Sequence, residues 1–271
     1  MKKFDAPSFI SSARSFLKNT MHKQRFSRVV VAVSGGVDSA VVASLCVSAL
    51  GRDNVIVVLL PCGDISKDAY DRSCEIVRHL DIPAEGIVDL NIAPHVERLC
   101  SYDPDMSDIR KANIMARIRM VLLYDVARKY NCLVVGTENK SEYVLGYFTR
   151  FGDEASDIEL IRSLYKTQVY DVARYLLLPD SIITAPPSAG LWNNQTDEIE
   201  LGFSYETGDT ILYLLMEKKL TEKQIVAHGH DPVLVARVVE RVRLNAFKHH
   251  APYVFEYKIT SSTRRRGSIR K

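Results

Sequence analysis

The chain has 271 residues, 46% hydrophobic and 25% charged, with a formal net charge of +3 and five cysteines. Its length suits one large α/β domain or two small ones with a full-sized core, and its composition excludes collagenous, coiled-coil and disordered classes. The small charge, with a basic run from Arg264 to Lys271, argues against nucleic-acid binding by the body. The lack of any long apolar run argues against a membrane span.

The opening MKKFDAPSFI has two lysines but no apolar stretch behind them, so no leader is expected. Cys46, Cys62, Cys74, Cys100 and Cys132 lie far apart with no CxxC pair, and they read as reduced thiols of a cytoplasmic protein. From Ser8 to His22, Phe9, Ile10, Ala13, Phe16 and Leu17 recur at helical spacing behind Pro7 and predict an amphipathic helix.

From Val29, a β-branched run predicts a strand that stops at Ser34-Gly35-Gly36. Val37, Asp38 and Ser39 follow, and a helix is predicted over Ala40 to Leu50, stopped by Gly51. Paired glycines let the backbone turn sharply, and a helix start aims unpaired N–H groups and positive dipole at the turn. Ser34 to Ser39 therefore reads as an anion cradle suited to phosphate. The carboxylate of Asp38 would repel a lone anion, which calls for a bridging divalent cation. A plain turn with Asp38 as a helix-start residue explains the same letters. The spacing is not GxxxxGK[ST] and the lysine is missing, which disfavours a P-loop.

Asn54 to Leu60 is a second near-continuous apolar strand. Its alternation with helices predicts a mainly parallel open sheet covered on both faces. A loop over Pro61 to Ser66, a helix over Lys67 to Leu80, a strand over Gly86 to Leu90 and a helix up to Cys100 follow. Met106 to Tyr130 is the longest helical pattern and carries Arg110, Lys111, Arg117 and Arg119.

The strand Cys132 to Val135 runs into Gly136 to Glu142 and then Gly146 to Asp153. The crevice rule for open α/β sheets puts this run on the same rim as the cradle. It offers a hydroxyl at Thr137, a carboxylate for a cation at Glu142, aromatic faces at Tyr147 and Phe148, and acids at Asp153, Glu154 and Asp157. The alternative is a polar connection with two packed aromatics. Ser188 to Asp209 reads as a long loop, with helices resuming from Tyr205 onward. Thr221 and Asp231 read as N-caps and Val233 to Phe247 as an amphipathic helix, with residues 1–258 as the domain and 259–271 as a basic tail.

SGGVDS at 34–39 resembles the pyrophosphate-binding signature of the N-type ATP pyrophosphatases, which cleave ATP between the α and β phosphates. NIMARIRMVLLY around Arg119, GTENKSEYVLGYFTRFGDEASD from Gly136 to Asp157, LYKTQVY from Leu164, PSAGLW from Pro187 and QTDE from Gln195 resemble the NAD synthetase family. That resemblance implies a single adenine nucleotide alpha-hydrolase-like α/β domain. It also implies a ligase that amidates deamido-NAD to NAD with ammonia, through an acyl-adenylate, with ATP as co-substrate and Mg²⁺ as cofactor.

By the same resemblance, ATP is held by Ser34, Gly35, Gly36, Val37, Asp38, Ser39, Thr137, Lys166 and Ser188, and Mg²⁺ by Asp38 and Glu142. Deamido-NAD falls to Arg119, Arg150, Asp157, Phe247 and Lys248, with Tyr147 as a stacking face. Lys166 is a mobile charge suited to the developing negative charge, and Asp153 is our candidate base for ammonium. A homodimer is implied, fed by free ammonia or by a separate amidotransferase, because no nitrilase-like domain fits ahead of the loop. The chain departs from the family at Leu59 and Ile65, where Arg and Gln are common, and at His249, where HKR is common. The first two put the purine and ribose contacts in question. Competing readings are another N-type ATP pyrophosphatase, tRNA-modifying or sulfur-transferring, and a non-catalytic adenine-nucleotide-binding module.

Overall fold

A computed structural model describes residues 4–63, 67–188, 190, 195–250, 252–255 and 257. Ile65, Ala189, Leu191, Trp192 and the tail over 259–271 lie outside the described residues. The chain starts with helix α1 (Ala6–Gln24), capped by Asp5, whose carboxylate accepts from the N–H of Ser8 at 3.1 Å. Strand β1 (Arg28–Ala32), helix α2 (Val37–Leu50), strand β2 (Val55–Leu59), helix α3 (Lys67–His79), strand β3 (Ile87–Asp89) and helix α4 (Ala93–Cys100) follow. Then come helix α5 (Asp108–Tyr130), strand β4 (Cys132–Gly136), helix α6 (Lys140–Leu145), strand β5 (Ile158–Glu159) and helix α7 (Lys166–Tyr175). Five further helices close the chain: α8 (Asp180–Ile183), α9 (Asp197–Leu201), α10 (Tyr205–Met216), α11 (Glu222–Ala227) and α12 (Pro232–Asn245).

The five strands form one sheet in the order β3-β2-β1-β4-β5, and every pairing is parallel. Side chains of a strand alternate between faces, and the valine runs use both. Val29 and Val31 of β1, with Val55 and Val57 of β2, pack under α1, α2 and α7, whereas Val30, Ile56 and Val58 pack under α5. Val29, Val30, Val31, Val55, Val57 and Val58 are fully buried, and each such burial stabilises by roughly 1.5–3 kcal/mol. A single Val57→Asp change would place an unpaired charge in that layer. A third cluster joins α6, α10, α11 and α12 through Leu145, Ile211, Leu212, Ile225 and Val238.

Strand β5 and helices α7 and α8 have no counterpart among the predicted elements, and three further segments differ from them. Helix α2 begins at Val37, not Ala40, so Asp38 and Ser39 belong to its first turn. The polar run after β4 contains α6, opened by a reciprocal cap: Asn139 accepts from the N–H of Glu142 at 3.0 Å, and Glu142 accepts from that of Asn139 at 3.3 Å. The region read as a loop from Ser188 contains α9, while α10 starts at Tyr205, where the sequence returns to helix. Thr196 and Ser204 cap those helices, and Asp209 lies buried inside the second. Polar letters masked these short helices, because their carboxylates and hydroxyls serve as caps and buried bonds instead of facing water. Thr221 and Asp231 do cap α11 and α12. Among the described residues no helix is long and apolar enough to cross a membrane.

Candidate active site

From β1 the sheet grows outward through β2 and β3 on one side and through β4 and β5 on the other. The connections leaving the carboxyl ends of β1 and β4 therefore diverge and open a crevice, the usual ligand position in such sheets. Ser34 to Ser39 leaves β1 there, and Thr137 to Asn139 leaves β4 beside it.

The cradle is braced from within and from behind. Ser34 and Ser39 hydroxyls lie 3.2 Å apart, the N–H of Ser34 donates to the Ser39 hydroxyl, and that hydroxyl donates to the carbonyl of Gly36 at 3.0 Å. Gly35 has φ +80°, and a Cβ there would meet the carbonyl oxygen of Ala69 at 2.0 Å, so only glycine fits against α3. Arg72 of the same helix donates to the carbonyl of Gly35 at 3.1 Å.

Asp38, Glu142 and Lys166 meet at the cradle's mouth. The ammonium of Lys166 lies 2.5 Å from Oδ2 of Asp38 and 3.1 Å from Oε1 of Glu142, and Asn139 donates to Oδ1 of Asp38 at 2.9 Å. Lys166 is 3% exposed, and its ammonium faces the ring of Tyr205 at 5.1 Å. Burial works against its charge, but Asp38 and then Glu142 outweigh burial and hold its pKa well above the usual lysine range. Burial raises the pKa of Glu142, with Lys166 opposing and Asp38 adding repulsion. Asp197, also buried, accepts the hydroxyls of Tyr205 at 3.0 Å and Tyr147 at 3.2 Å.

Two carboxylates aimed at one cation are a hard oxygen donor set. Among the described residues no group of three or more His, Cys, Asp or Glu side chains converges to hold a metal. That combination fits Mg²⁺, which is bound by one or two carboxylates with phosphates and water completing its shell.

The other predicted residues divide between two places. Thr137 stands half-buried at the end of β4. Ser188 is exposed, and its hydroxyl accepts the N–H of Gly190 at 3.1 Å. From α5, Arg119 donates from Nε to the carbonyl of Leu60 at 3.1 Å, while Asp153 accepts the N–H of Thr149 at 2.8 Å. Asp157 accepts the N–H of Val134 at 2.8 Å. Arg150 lies over Phe247 at 5.5 Å, and Lys248 donates to the carbonyls of Gly146 at 2.6 Å and Phe148 at 2.9 Å. Tyr147 is tied by its hydroxyl to Glu200 at 2.8 Å, and Arg241 covers its ring at 5.3 Å. Leu59 is a core side chain, 3% exposed.

Sequence reasoning assigned no role to Asn139, Arg72, Tyr205, Asp197 or Asp209. Asn139 was findable, since it stands three residues before Glu142 at capping-box spacing. Asp197 stands within QTDE, eight residues before its partner Tyr205, whereas Arg72 and Asp209 act across long sequence separations that nothing local in the letters marks.

The NAD synthase family model matches residues 9–252. The chain is 43% identical over 241 residues to the NH(3)-dependent NAD(+) synthetase of Pelodictyon phaeoclathratiforme, covering 89% of this chain and 86% of that one. The NH3-dependent NAD synthetase of Campylobacter jejuni, solved with a nitrate ion, superposes with a TM-score of 0.80 at 30% identity, over 94% of this chain and 100% of that one. The NMN synthetase of Francisella tularensis superposes with a TM-score of 0.82 at 29% identity, with the same coverage. With the cradle at the switch point of a parallel sheet and this likeness running nearly end to end, the chain belongs to the NAD synthase family.

Proposed function

We infer that this chain catalyses the ATP-dependent amidation of deamido-NAD to NAD with ammonia, releasing AMP and pyrophosphate. The observation that carries the reading is the buried Lys166 ammonium held between Asp38 and Glu142 at the mouth of the cradle. A carboxylate is a poor electrophile, so the nicotinate oxygen attacks the α-phosphorus of ATP. An acyl–O–P bond forms, the bond to the β-phosphate breaks, and pyrophosphate leaves. Ammonia then attacks the acyl carbon, and AMP departs with the bonding electrons.

The first step brings two anions together, so positioning and charge neutralisation dominate. The cradle of Ser34, Gly35, Gly36, Val37, Asp38 and Ser39 receives the departing pyrophosphate on its backbone N–H groups, with Thr137 and Ser188 as further ATP contacts. Lys166 turns from the carboxylates toward the phosphate oxygens. Mg²⁺, when bound by Asp38 and Glu142, supplies neutralising charge to the triphosphate. Arg119, Tyr147, Arg150, Asp157, Phe247 and Lys248 bind the dinucleotide. Asp153 takes the proton from ammonium, leaving the lone pair free to attack.

The catalytic unit is residues 1–258, with 259–271 as a basic tail. We place it in the cytoplasm, where its five thiols would stay reduced. A homodimer is the assembly that the family resemblance implies. The ammonia is free or delivered by a separate amidotransferase.

The test is incubation of purified protein with ATP, Mg²⁺, deamido-NAD and ammonium, and in parallel with glutamine in place of ammonium, followed by assay of NAD and pyrophosphate. NAD is expected with ammonium, and its absence from both reactions sinks the reading. A parallel arm with deamido-NMN is expected to show the smaller kcat/KM.

A further inference from the structure

Asp209 is fully buried within α10, where a carboxylate is a poor helix former and costly to desolvate. Both its oxygens are used across helices. Oδ1 accepts the hydroxyl of Ser141 at 2.5 Å, and Oδ2 accepts the N–H of Thr167 at 2.9 Å. The Ser141 hydroxyl oxygen in turn accepts the N–H of Lys166 at 2.9 Å. The first two N–H groups of α7, which have no partner inside their helix, therefore end on one carboxylate, the second directly and the first through a hydroxyl. A negative charge at that helix start also meets the positive end of its dipole. Burial raises the pKa of Asp209, and the bonds from Ser141 and Thr167 oppose it.

The placement of these partners matters more than their number. Ser141 immediately precedes Glu142, and Thr167 immediately follows Lys166. One junction therefore clamps together the first turns of α6 and α7, which carry the carboxylate and the ammonium that lie 3.1 Å apart in the site. It acts beside a backbone bond from the N–H of Lys140 to the carbonyl of Leu164 at 2.7 Å, and it is the link that reaches the residues next to Glu142 and Lys166 themselves.

We propose that Asp209 is a positioning residue of the ATP site, acting through Ser141 and the start of α7 to set the spacing of Glu142 and Lys166. The proposal rests on reading the cradle as an ATP site. Asp209→Asn keeps the size but replaces one acceptor oxygen by an amide donor, so it cannot accept from both Ser141 and Thr167.

The full chain is titrated by calorimetry with Mg²⁺ and α,β-methylene-ATP, which needs no turnover, and kcat and both KM values are measured alongside. Affinity for the analogue is expected to fall roughly tenfold and kcat by roughly ten- to a hundredfold. KM for deamido-NAD stays within about twofold. Ser141→Ala gives the same pattern, and the double variant is no worse than either single one, because both act through one link. Ile211→Val, on the same helix and away from the junction, loses melting temperature without moving analogue affinity.

Wild-type affinity in Asp209→Asn, with only a lower melting temperature, overturns the proposal, as does full additivity in the double variant. If Asp209→Asn does not fold, Ser141→Ala alone decides it on the same affinity readout. A wild-type chain that binds the analogue but makes no NAD refutes the activity and leaves the affinity comparison to decide this proposal. A wild-type chain that does not bind the analogue overturns both.

Discussion

The ammonium of Lys166 lies 2.5 Å from the carboxylate of Asp38 across 128 positions of sequence. The two side chains are 4% and 14% exposed, and they join the first turn of α7 to that of α2. With Glu142 beside them, one positive charge faces two carboxylates. Burial raises the pKa of Glu142, so the Lys166–Asp38 pair carries the charge of the cluster, an arrangement in which a divalent cation would take the carboxylates as the lysine turned to phosphate.

Asp38→Asn keeps the size of the side chain but removes the charge that this exchange needs. Pyrophosphate release is expected to fall by on the order of 10²–10³-fold, and the melting transition falls as well, because the buried Lys166 ammonium loses its nearer carboxylate. Turnover at the wild-type rate would remove Asp38 from the mechanism.

Gly35→Ala would set a methyl 2.0 Å from the backbone oxygen of Ala69, at a residue whose φ is already +80°. Neither atom can step aside without moving α3, to which Arg72 also ties the loop. The expected loss is about 1–3 kcal/mol in urea unfolding, with weaker ATP binding. An unchanged midpoint would contradict this packing.

Glu138 is 6% exposed, and burial pushes its pKa up to about 9, with Arg162 at 2.8 Å opposing. A raised carboxylate pKa means that the folded chain holds a proton the unfolded chain has released. Stability from this group is present at low pH and falls as pH rises from about 4.5 to about 9, by at most about 1.4 kcal/mol per unit. Glu138→Gln removes that slope. Urea titrations of both proteins from pH 5 to pH 9 should show the variant gaining on the wild type, and parallel curves would refute the assignment.

Arg119 and Lys248 separate binding from scaffolding. Arg119 spends one N–H on the carbonyl of Leu60, which leaves the rest of its guanidinium for a dinucleotide. Arg119→Lys should raise KM for deamido-NAD by roughly tenfold while KM for ATP holds. Lys248 is half-buried and donates to two backbone carbonyls at the end of α6. Lys248→Met should therefore also lower stability, by about 1.5–3 kcal/mol in urea unfolding. A Lys248→Met chain with wild-type stability would mean that its ammonium is free for substrate.

The valine runs of β1 and β2 were enough to read a parallel sheet, while the glycine pair after β1 by itself left an anion cradle and a plain turn both open. Period, chain punctuation and backbone freedom are local properties, carried by neighbouring residues. The motifs from Gly136 to Asp157 likewise marked Glu142, and LYKTQVY marked Lys166. What the letters could not carry was distance. That Lys166 reaches Asp38, that Asn139 braces the same carboxylate, and that Asp209 ties α6 to α7 depend on how α7 packs on α2 and α10 packs on α6 and α7. Polar letters such as Asp197 and Asp209 looked like loop for the same reason: an acid in solvent and an acid buried on two donors are written alike, and only its packed neighbours tell them apart.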